Sequence, residues 1–114
     1  MAEKRENLTV NVNDTIETAM LKITENRHRA VIVMDGGKVV GIVSDGDLRR
    51  GFLKGILPLA PVEKIMNLNY VMTQERDPER LREIIRKEKV TVLPVVNKEN
   101  DLVDIVLAYE PFRE

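Results

Sequence analysis

The sequence predicts an α/β fold in which two similar halves pack on each other. Three observations support this prediction: the length of the chain, a helix pattern followed by two strand patterns, and the return of that order in the second half. The chain has 114 residues, enough for one ordinary domain with a real core but too few for a large modular enzyme. Each half is therefore expected to be a small sheet covered by helices.

The first half opens with an amphipathic helix pattern. Asp14 and Thr15 precede it as candidate N-terminal caps. The apolar positions have the i, i+3, i+4, i+7 spacing of one helix face. These positions are Ile16, Ala19, Met20 and Ile23.

Two apolar runs, 30–34 and 39–43, follow this helix and flank a polar turn at 35–38. They are rich in β-branched residues and show almost no alternation, which predicts a hairpin of strands buried on both faces. The turn contains glycine and lysine, but it lacks the spacing of a phosphate-binding loop. We interpret it as a hairpin turn only.

The same order returns later in the chain. Asp77 and Pro78 open a second helix pattern, and the apolar runs 90–96 and 102–107 follow it. Alignment of Asp14 with Asp77 gives an offset of 63 residues, which indicates a tandem duplication. Two copies are too few for a solenoid, so the halves should pack together. We expect repeat 1 to span 7–57 and repeat 2 to span 58–114, with the last helix of repeat 2 truncated or missing.

Charge and composition exclude several classes of partner. Lys and Arg total 18 against 19 Asp and Glu, so the net charge of −1 gives no general attraction to nucleic acid or anionic lipid. Aromatic residues make up only 4%, which leaves few platforms for base stacking. No apolar run approaches the roughly 18 residues of a membrane span. We therefore expect no nucleic-acid or membrane partner.

Composition also limits the chemistry that the chain can perform. The absence of cysteine excludes thiolate catalysis and cysteine zinc sites, and it agrees with a reducing compartment. A single histidine, His28, excludes sites that need two. The N-terminus carries no apolar signal sequence, so a cytoplasmic location is expected.

Short motifs in this duplicated frame resemble a known family. Residues 62–66 read V-x-x-I-M, 93–96 read Leu-Pro-Val-Val, and 41–47 read Gly-Ile-Val-Ser-Asp-Gly-Asp. Their order and spacing are similar to a tandem pair of cystathionine-β-synthase (CBS) domains, over nearly the whole chain. The resemblance implies a β-α-β-β-α unit in each repeat, a pseudo-twofold axis between the repeats, and two clefts.

The resemblance also implies a function. Such pairs are regulatory modules that bind adenosine nucleotides, here AMP, ADP or ATP. The segment S-D-G-D-L-R-R at 44–50 is similar to pairs associated with sugar-phosphate nucleotidyltransferases. A fused or associated enzyme of that kind is therefore an expected partner.

The family motif G-h-x-[ST]-x-x-D maps onto Gly41, Ser44 and Asp47. The resemblance implies that the hydroxyl faces phosphate and the carboxylate holds ribose hydroxyls. From the residues alone, Ser44 and Asp47 also fit a helix capping box, and the two uses can coexist. Repeat 2 has Asp104, Leu107 and Glu110 at the matching positions, so one functional site per chain is expected.

Further candidates complete the expected site. The resemblance implies that adenine is held by the segment 9–12 and by the strand 30–32, and that basic residues reach the phosphates. An ordinary solvated basic face remains the alternative for Arg50 and its neighbour Arg49. The candidates beyond the motif are Thr9, Val10, Val12, Ala30, Val31, Ile32, Arg29, Asp45 and Arg50, with Arg27, His28 and Lys89 as secondary ones.

No catalytic or metal-ligating residue is assigned. His28 is expected at the surface, and its use as a base for a Ser44 nucleophile would need both groups to converge on an oxyanion site. Asp45 and Asp47 could approach a cation, but magnesium would more naturally arrive with a nucleotide. The expected function is a non-catalytic regulatory module.

The alternative function is a structural or dimerisation module that binds no ligand. Two small halves bury little surface alone, so a homodimer is expected under either hypothesis. The short helix after Asp47 is the expected contact, through Leu48, Phe52 and Leu53.

Overall fold

A computed structural model describes residues 5–109 of the chain. Within these residues, repeat 1 contains a three-stranded sheet with two helices, and repeat 2 contributes one helix and a two-stranded sheet. The elements of repeat 1 are β1 (Thr9–Asn11), α1 (Ile16–Asn26), β2 (Ala30–Asp35), β3 (Lys38–Ser44) and α2 (Asp45–Leu53). Those of repeat 2 are α3 (Pro78–Glu88), β4 (Val92–Val96) and β5 (Leu102–Leu107). Short 3-10 turns lie at Arg5–Asn7 and Val62–Lys64.

The two long helices begin where the capping residues predict. The Thr15 hydroxyl accepts a hydrogen bond from the Thr18 amide at 3.1 Å, and Asp77 accepts one from the Arg80 amide at 3.2 Å. Asp14 instead fixes the preceding turn, because its carboxylate accepts from the Asn11 amide at 2.8 Å. Side-chain acceptors thus satisfy amides that the first helical turn leaves unpaired.

The duplication is visible in the strand register. β2 pairs antiparallel with β3, and β4 pairs in the same way with β5. Gly41 lies opposite Val33, and Asp104 lies opposite Val95. The helices and first hairpin strands therefore repeat at an offset of 62, and the second hairpin strands at the predicted 63. One extra residue in the second hairpin turn accounts for the difference.

Both inner strands, β2 and β4, are buried on both faces, as their unbroken apolar runs predict. In β2, Val31 and Val33 face a core under α1, whereas Ala30 and Ile32 face the sheet of repeat 2. β4 divides in the same way, with Leu93 facing α3. The layer between the sheets draws on both repeats: Leu8, Ala30, Ile32, Val39, Val92, Val96 and Leu102.

The outer strand β3 differs from its prediction. Burial alternates along it, so one of its faces is partly open to solvent. Of its two fully buried side chains, Val43 faces the core beneath α1 and α2, and Val39 lies in the layer between the sheets. Continuous apolar sequence is therefore not enough to predict two buried faces at a sheet edge.

Repeat 2 shows less regular structure than the β-α-β-β-α unit. Its first strand is reduced to an isolated parallel bridge between Thr73 and Val95. The expected last helix would fall beyond residue 109, outside the described residues. Within 5–109, no helix is long and apolar enough to cross a bilayer.

The connection between the repeats is fixed to repeat 1. The Ile16 amide donates to the Ala60 carbonyl at 2.8 Å, and the Val62 amide donates to the Asp14 carbonyl at 2.8 Å. The Asn67 amide then donates to the Ile42 carbonyl at 2.7 Å, and the Ile42 amide donates back at 3.2 Å. We refer to residues 62–71 as the opening segment of repeat 2. These hydrogen bonds hold it along the edge of β3, the strand that leads into α2.

A candidate ligand site between the two repeats

A cleft of about 350 Å³ lies between the repeats. This volume falls at the lower end of the range of small-molecule sites, about 300–1,000 Å³. Repeat 1 lines it with Arg29, Ala30, Ile42, Ser44, Asp45 and Asp47. The segment that opens repeat 2 and the region before β4 line it with Asn67, Asn69, Tyr70, Val71, Lys89, Val90, Thr91 and Val92.

Ser44 and Asp47 form the predicted capping box at the start of α2. The Asp47 amide donates to the Ser44 hydroxyl at 3.3 Å, and Asp47 Oδ2 accepts from the Ser44 amide at 2.9 Å. The Ser44 hydroxyl also lies 2.9 Å from Asp47 Oδ2. Both side chains line the cleft, so structural and ligand-binding uses are compatible in this geometry.

The start of α2 offers fewer amide donors than the sequence indicates. The Asp45 amide already donates to the Arg29 carbonyl at 3.1 Å, and the Asp47 amide is bound to Ser44. A phosphate in this cleft would therefore rely on side chains more than on the helix N-terminus. Two cations line it from opposite repeats, Arg29 and Lys89.

Arg50 lies beside the cleft rather than on its wall. Its Nη2 donates to Asp47 Oδ1 at 2.9 Å. The Asp47 side chain is only 10% exposed, whereas that of Arg50 is 59% exposed. This contact occupies the second carboxylate oxygen of Asp47.

Gly41 has a packing role and does not line the cleft. A Cβ at this position would lie 3.0 Å from Met66 Sδ and 3.2 Å from the Asn67 carbonyl oxygen. Glycine is needed because the opening segment of repeat 2 passes directly over β3. At the corresponding place in β5, Asp104 is exposed.

The predicted adenine segment requires a correction, because the structure does not bring it to the cleft of Ser44 and Asp47. Among the candidates from β1 and β2, only Ala30 lines this cleft. The other five candidates do not line it: Thr9, Val10, Val12, Val31 and Ile32. β1 is paired in parallel with β2, and Val10, Val12 and Val31 pack in the core beneath α1. Ile32 is buried in the layer between the two sheets.

Repeat 2 supplies the wall that the sequence interpretation assigned to repeat 1. Apolar lining comes from Val71, Val90 and Val92, with Tyr70 beside them. The Tyr70 hydroxyl donates to the Val39 carbonyl at 3.1 Å, which fixes the ring across the boundary between the repeats. The duplication in the sequence could have indicated this wall. A cleft between two repeats is lined by residues of both repeats.

His28 and Leu48 also differ from expectation, because both are buried. His28 is 3% exposed, and its carbonyl accepts a hydrogen bond from the Thr91 hydroxyl across the two repeats. Leu48 is 8% exposed and packs in the core of repeat 1, so it is not available as a dimer contact. Phe52 and Leu53 are exposed. Within 5–109, no group of three acidic or histidine side chains could hold a metal ion.

Comparison with known proteins identifies the fold and the family. A family model described as "CBS domain" matches residues 4–54, which is repeat 1. The CBS domain protein PAE2072 from Pyrobaculum aerophilum, solved in complex with AMP, superposes with a TM-score of 0.70 at 19% identity. That match covers 90% of this chain and 85% of the other, so the fold of a CBS pair extends over both repeats.

Relatives with higher identity are longer proteins. Uncharacterized protein MJ1225 of Methanocaldococcus jannaschii is 28% identical over 99% of this chain and 47% of its own length. Its solved structure gives a TM-score of 0.70, covering 93% of this chain and 45% of that one. Arabinose 5-phosphate isomerase GutQ of Escherichia coli is 33% identical over 83% of this chain and 29% of its own length. The chain thus spans 47% of the length of the first of these curated relatives and 29% of the length of the second.

The GutQ match does not support the finer resemblance to pairs associated with nucleotidyltransferases, because this relative is a sugar-phosphate isomerase. The CBS assignment itself is unaffected. Sequence match, duplicated register and superposition agree: the chain belongs to the CBS-domain proteins, and its two repeats have the fold of a CBS domain pair.

Proposed function

We propose that the chain is a non-catalytic regulatory module that binds one adenosine nucleotide in the cleft between its repeats. The observation that carries this proposal is the cleft itself, in which the Ser44 and Asp47 pair of repeat 1 faces an apolar wall from repeat 2. The AMP complex of the structurally similar PAE2072 protein supports an adenosine ligand. The ligand is AMP, ADP or ATP.

The chemistry of the lining assigns a place to each part of the ligand. Asp47 accepts hydrogen bonds from the ribose hydroxyls, since a carboxylate suits a vicinal diol. Arg29 and Lys89 neutralise the phosphate, and Ser44 donates to it. Adenine lies against the apolar wall of repeat 2, by Val71 and Val92. Magnesium, where present, comes with the nucleotide phosphates.

Binding in this position would affect a partner because the walls of the cleft belong to different repeats. A ligand that touches both walls favours one relative arrangement of the repeats over others, by the difference in its affinity for them. An enzyme fused to or associated with the chain would sense that arrangement. A sugar-phosphate enzyme is a reasonable partner, given the GutQ match.

A ligand-free dimerisation module is the second proposed function. Phe52 and Leu53 near the end of α2 are 37% and 81% exposed, which favours association through this helix. Dimerisation by itself is also compatible with nucleotide binding, because Phe52 and Leu53 do not line the cleft.

Calorimetric titration of the whole chain with AMP, ADP, ATP and GMP tests the first function. The expected result is one adenosine nucleotide per chain, with GMP weaker. Replacement of Asn69, an exposed cleft residue, by Trp should abolish binding by filling the cleft. The matched variant Asn13→Trp, at an exposed position away from the cleft, should bind normally. The proposal is contradicted if none of the adenosine nucleotides binds at millimolar concentration.

A further inference from the structure

A second cavity of about 450 Å³ adjoins the proposed nucleotide cleft. The two share three lining residues: Asp47, Asn67 and Asn69. The second cavity runs along the outer side of α2, between that helix and the segment that opens repeat 2. The two cavities therefore meet at these residues, with Asp47 at the boundary, and we refer to the pair of cavities as the groove.

Positive charge dominates this second cavity. Arg50, Lys54 and Lys64 line it, and Asp47 is the one acidic residue in its described lining. Arg50 is paired with Asp47, whereas Lys54 and Lys64 have no ion pair with any described residue between 5 and 109. The concentration is local, since the chain as a whole carries a net charge of −1. A concave surface with uncompensated charge of one sign attracts ions of the other.

Close packing holds the cationic walls at a fixed separation. A Cβ on Gly51 would lie 2.7 Å from Ile65 Cγ2, so α2 contacts the opening segment of repeat 2 with no space to spare. Arg50 and Lys54 lie on the α2 side of this contact, and Lys64 lies on the other. The cations therefore line a cavity whose two sides are held together at Gly51 and Ile65.

We propose that this cavity is a second anion subsite, and that the groove takes an adenosine nucleotide with a phosphate on its ribose in addition to the 5′-phosphate. The inference rests on the proposed function, which puts the ribose hydroxyls at Asp47. A group attached to the 2′- or 3′-oxygen then enters the second cavity, while the 5′-phosphate stays near Arg29. Arg50 turns from Asp47 to the added phosphate, and Lys54 and Lys64 complete its neutralisation.

The test compares AMP with adenosine 3′,5′-bisphosphate and adenosine 2′,5′-bisphosphate by calorimetry at low salt. At least one bisphosphate should bind the wild-type chain about tenfold or more tightly than AMP, because charge-assisted hydrogen bonds are the strong ones. The advantage should shrink as salt is raised, since exposed charges are screened.

Charge variants locate the effect. In Lys54→Gln/Lys64→Gln the bisphosphate advantage should fall to within about threefold while the affinity for AMP is retained. The matched variant Lys87→Gln/Lys98→Gln removes the same charge from exposed positions outside the groove and should keep the advantage.

Two outcomes would overturn the subsite. One is equal affinity of the wild type for AMP and both bisphosphates; the other is an equal loss of advantage in both double variants. Failure of AMP itself to bind would instead contradict the proposed function, so the two failures are distinguishable.

Discussion

Lys38 and Asp101 occupy equivalent positions in the two hairpins and form an ion pair, with 2.7 Å between Lys38 Nζ and Asp101 Oδ1. Lys38 comes directly before Val39, which pairs with Met34, and Asp101 comes directly before Leu102, which pairs with Val96. Two equivalent positions can touch only beside the axis that relates the repeats. The ion pair therefore marks the pseudo-twofold axis at the hairpin end of the molecule.

This contact predicts a pH dependence. Hydrogen bonds from Lys38 and then Asn97 hold the pKa of the Asp101 carboxyl below its ordinary value of 3.8. A lowered pKa in the folded state stabilises the fold above the unfolded-state value, and this contribution is lost as pH falls through the folded-state pKa. The effect should be small, because the pair is exposed.

NMR titration of the Asp101 carboxyl measures this directly. Lys38→Met should move its pKa upward toward the ordinary value, whereas Arg80→Met, which removes the ion pair between Arg80 and Glu75, should leave it unchanged. An Asp101 pKa that is equal in wild type and Lys38→Met would show that the ion pair does not form in solution.

Asp47 predicts a dependence of ribose binding on phosphate. A carboxylate has about four acceptor positions. Asp47 already accepts from the Ser44 amide, the Ser44 hydroxyl and Arg50. Two ribose hydroxyls exceed the remaining capacity, so one donor must leave. The Ser44 hydroxyl can do so by turning to the 5′-phosphate, which couples the two contacts.

The variant Ser44→Ala tests whether the phosphate contact and the ribose contact are coupled, or whether Ser44 merely contributes one hydrogen bond. The variant should bind AMP about tenfold more weakly, because a hydrogen bond to a charged group is lost. It should bind adenosine at least as tightly as the wild type, because Asp47 is relieved of one donor. Circular dichroism controls for the weakened cap, with Thr15→Ala as a variant that loses a cap outside the cleft. Adenosine binding that falls together with AMP binding contradicts the coupling.

Asp47→Ala should weaken AMP binding by about 1.5–3 kcal/mol, since it removes a charged acceptor for the ribose. Glu110→Ala should have a much smaller effect, because repeat 2 lacks the glycine and hydroxyl of the motif. Glu110 lies outside the described residues, so this comparison rests on the sequence. Equal affinity of wild type and Asp47→Ala, measured by calorimetry, removes Asp47 from the site.

Gly51→Ala should destabilise the chain by about 1–3 kcal/mol through overpacking against Ile65. Alanine in a helix is otherwise favoured over glycine by about 1 kcal/mol. A lower free energy of unfolding in Gly51→Ala would therefore show that overpacking outweighs helix propensity at this position. Ile65→Ala should be less destabilising in the Gly51→Ala background than alone, as measured by denaturant unfolding of all four variants. Additive effects would contradict the contact.

A homodimer through α2 stays a prediction, now confined to Phe52 and Leu53. Light scattering at micromolar concentration should give about twice the chain mass of 13.0 kDa. Phe52→Glu should shift the chain to a monomer, because a buried unpaired charge is unfavourable in an apolar contact. A monomeric wild type refutes the dimer, and a dimeric Phe52→Glu refutes this surface.

The sequence was sufficient to predict elements that depend on local chemistry. Thr15 and Asp77 cap helices through their own side chains, and the apolar runs of β2 and β4 follow from burial on both faces. The pairing of Ser44 with Asp47 is equally local, since it spans one helical turn. Spacing along the chain is enough for features of this kind.

Contacts between the repeats were not predictable in the same way. The adenine wall was assigned to Val10 and Ile32, but Val10 is buried in the core beneath α1 and Ile32 in the layer between the two sheets. The sequence of repeat 1 does not indicate which residues of repeat 2 form the opposite wall of the cleft. His28 was expected at the surface, yet it is covered at the contact with Thr91. Both errors have the same cause. The surroundings of these residues depend on how the two sheets are oriented, and spacing along the chain does not indicate that orientation.

The layer of side chains between the sheets determines how the molecule unfolds. Ile32 and Val92 each need the other repeat to be shielded from water. Separation of the repeats would expose this whole layer, so neither half retains its stability alone. Melting should consequently be all-or-none rather than stepwise, and hydrogen exchange in β2 and β4 should occur only through complete opening of the chain.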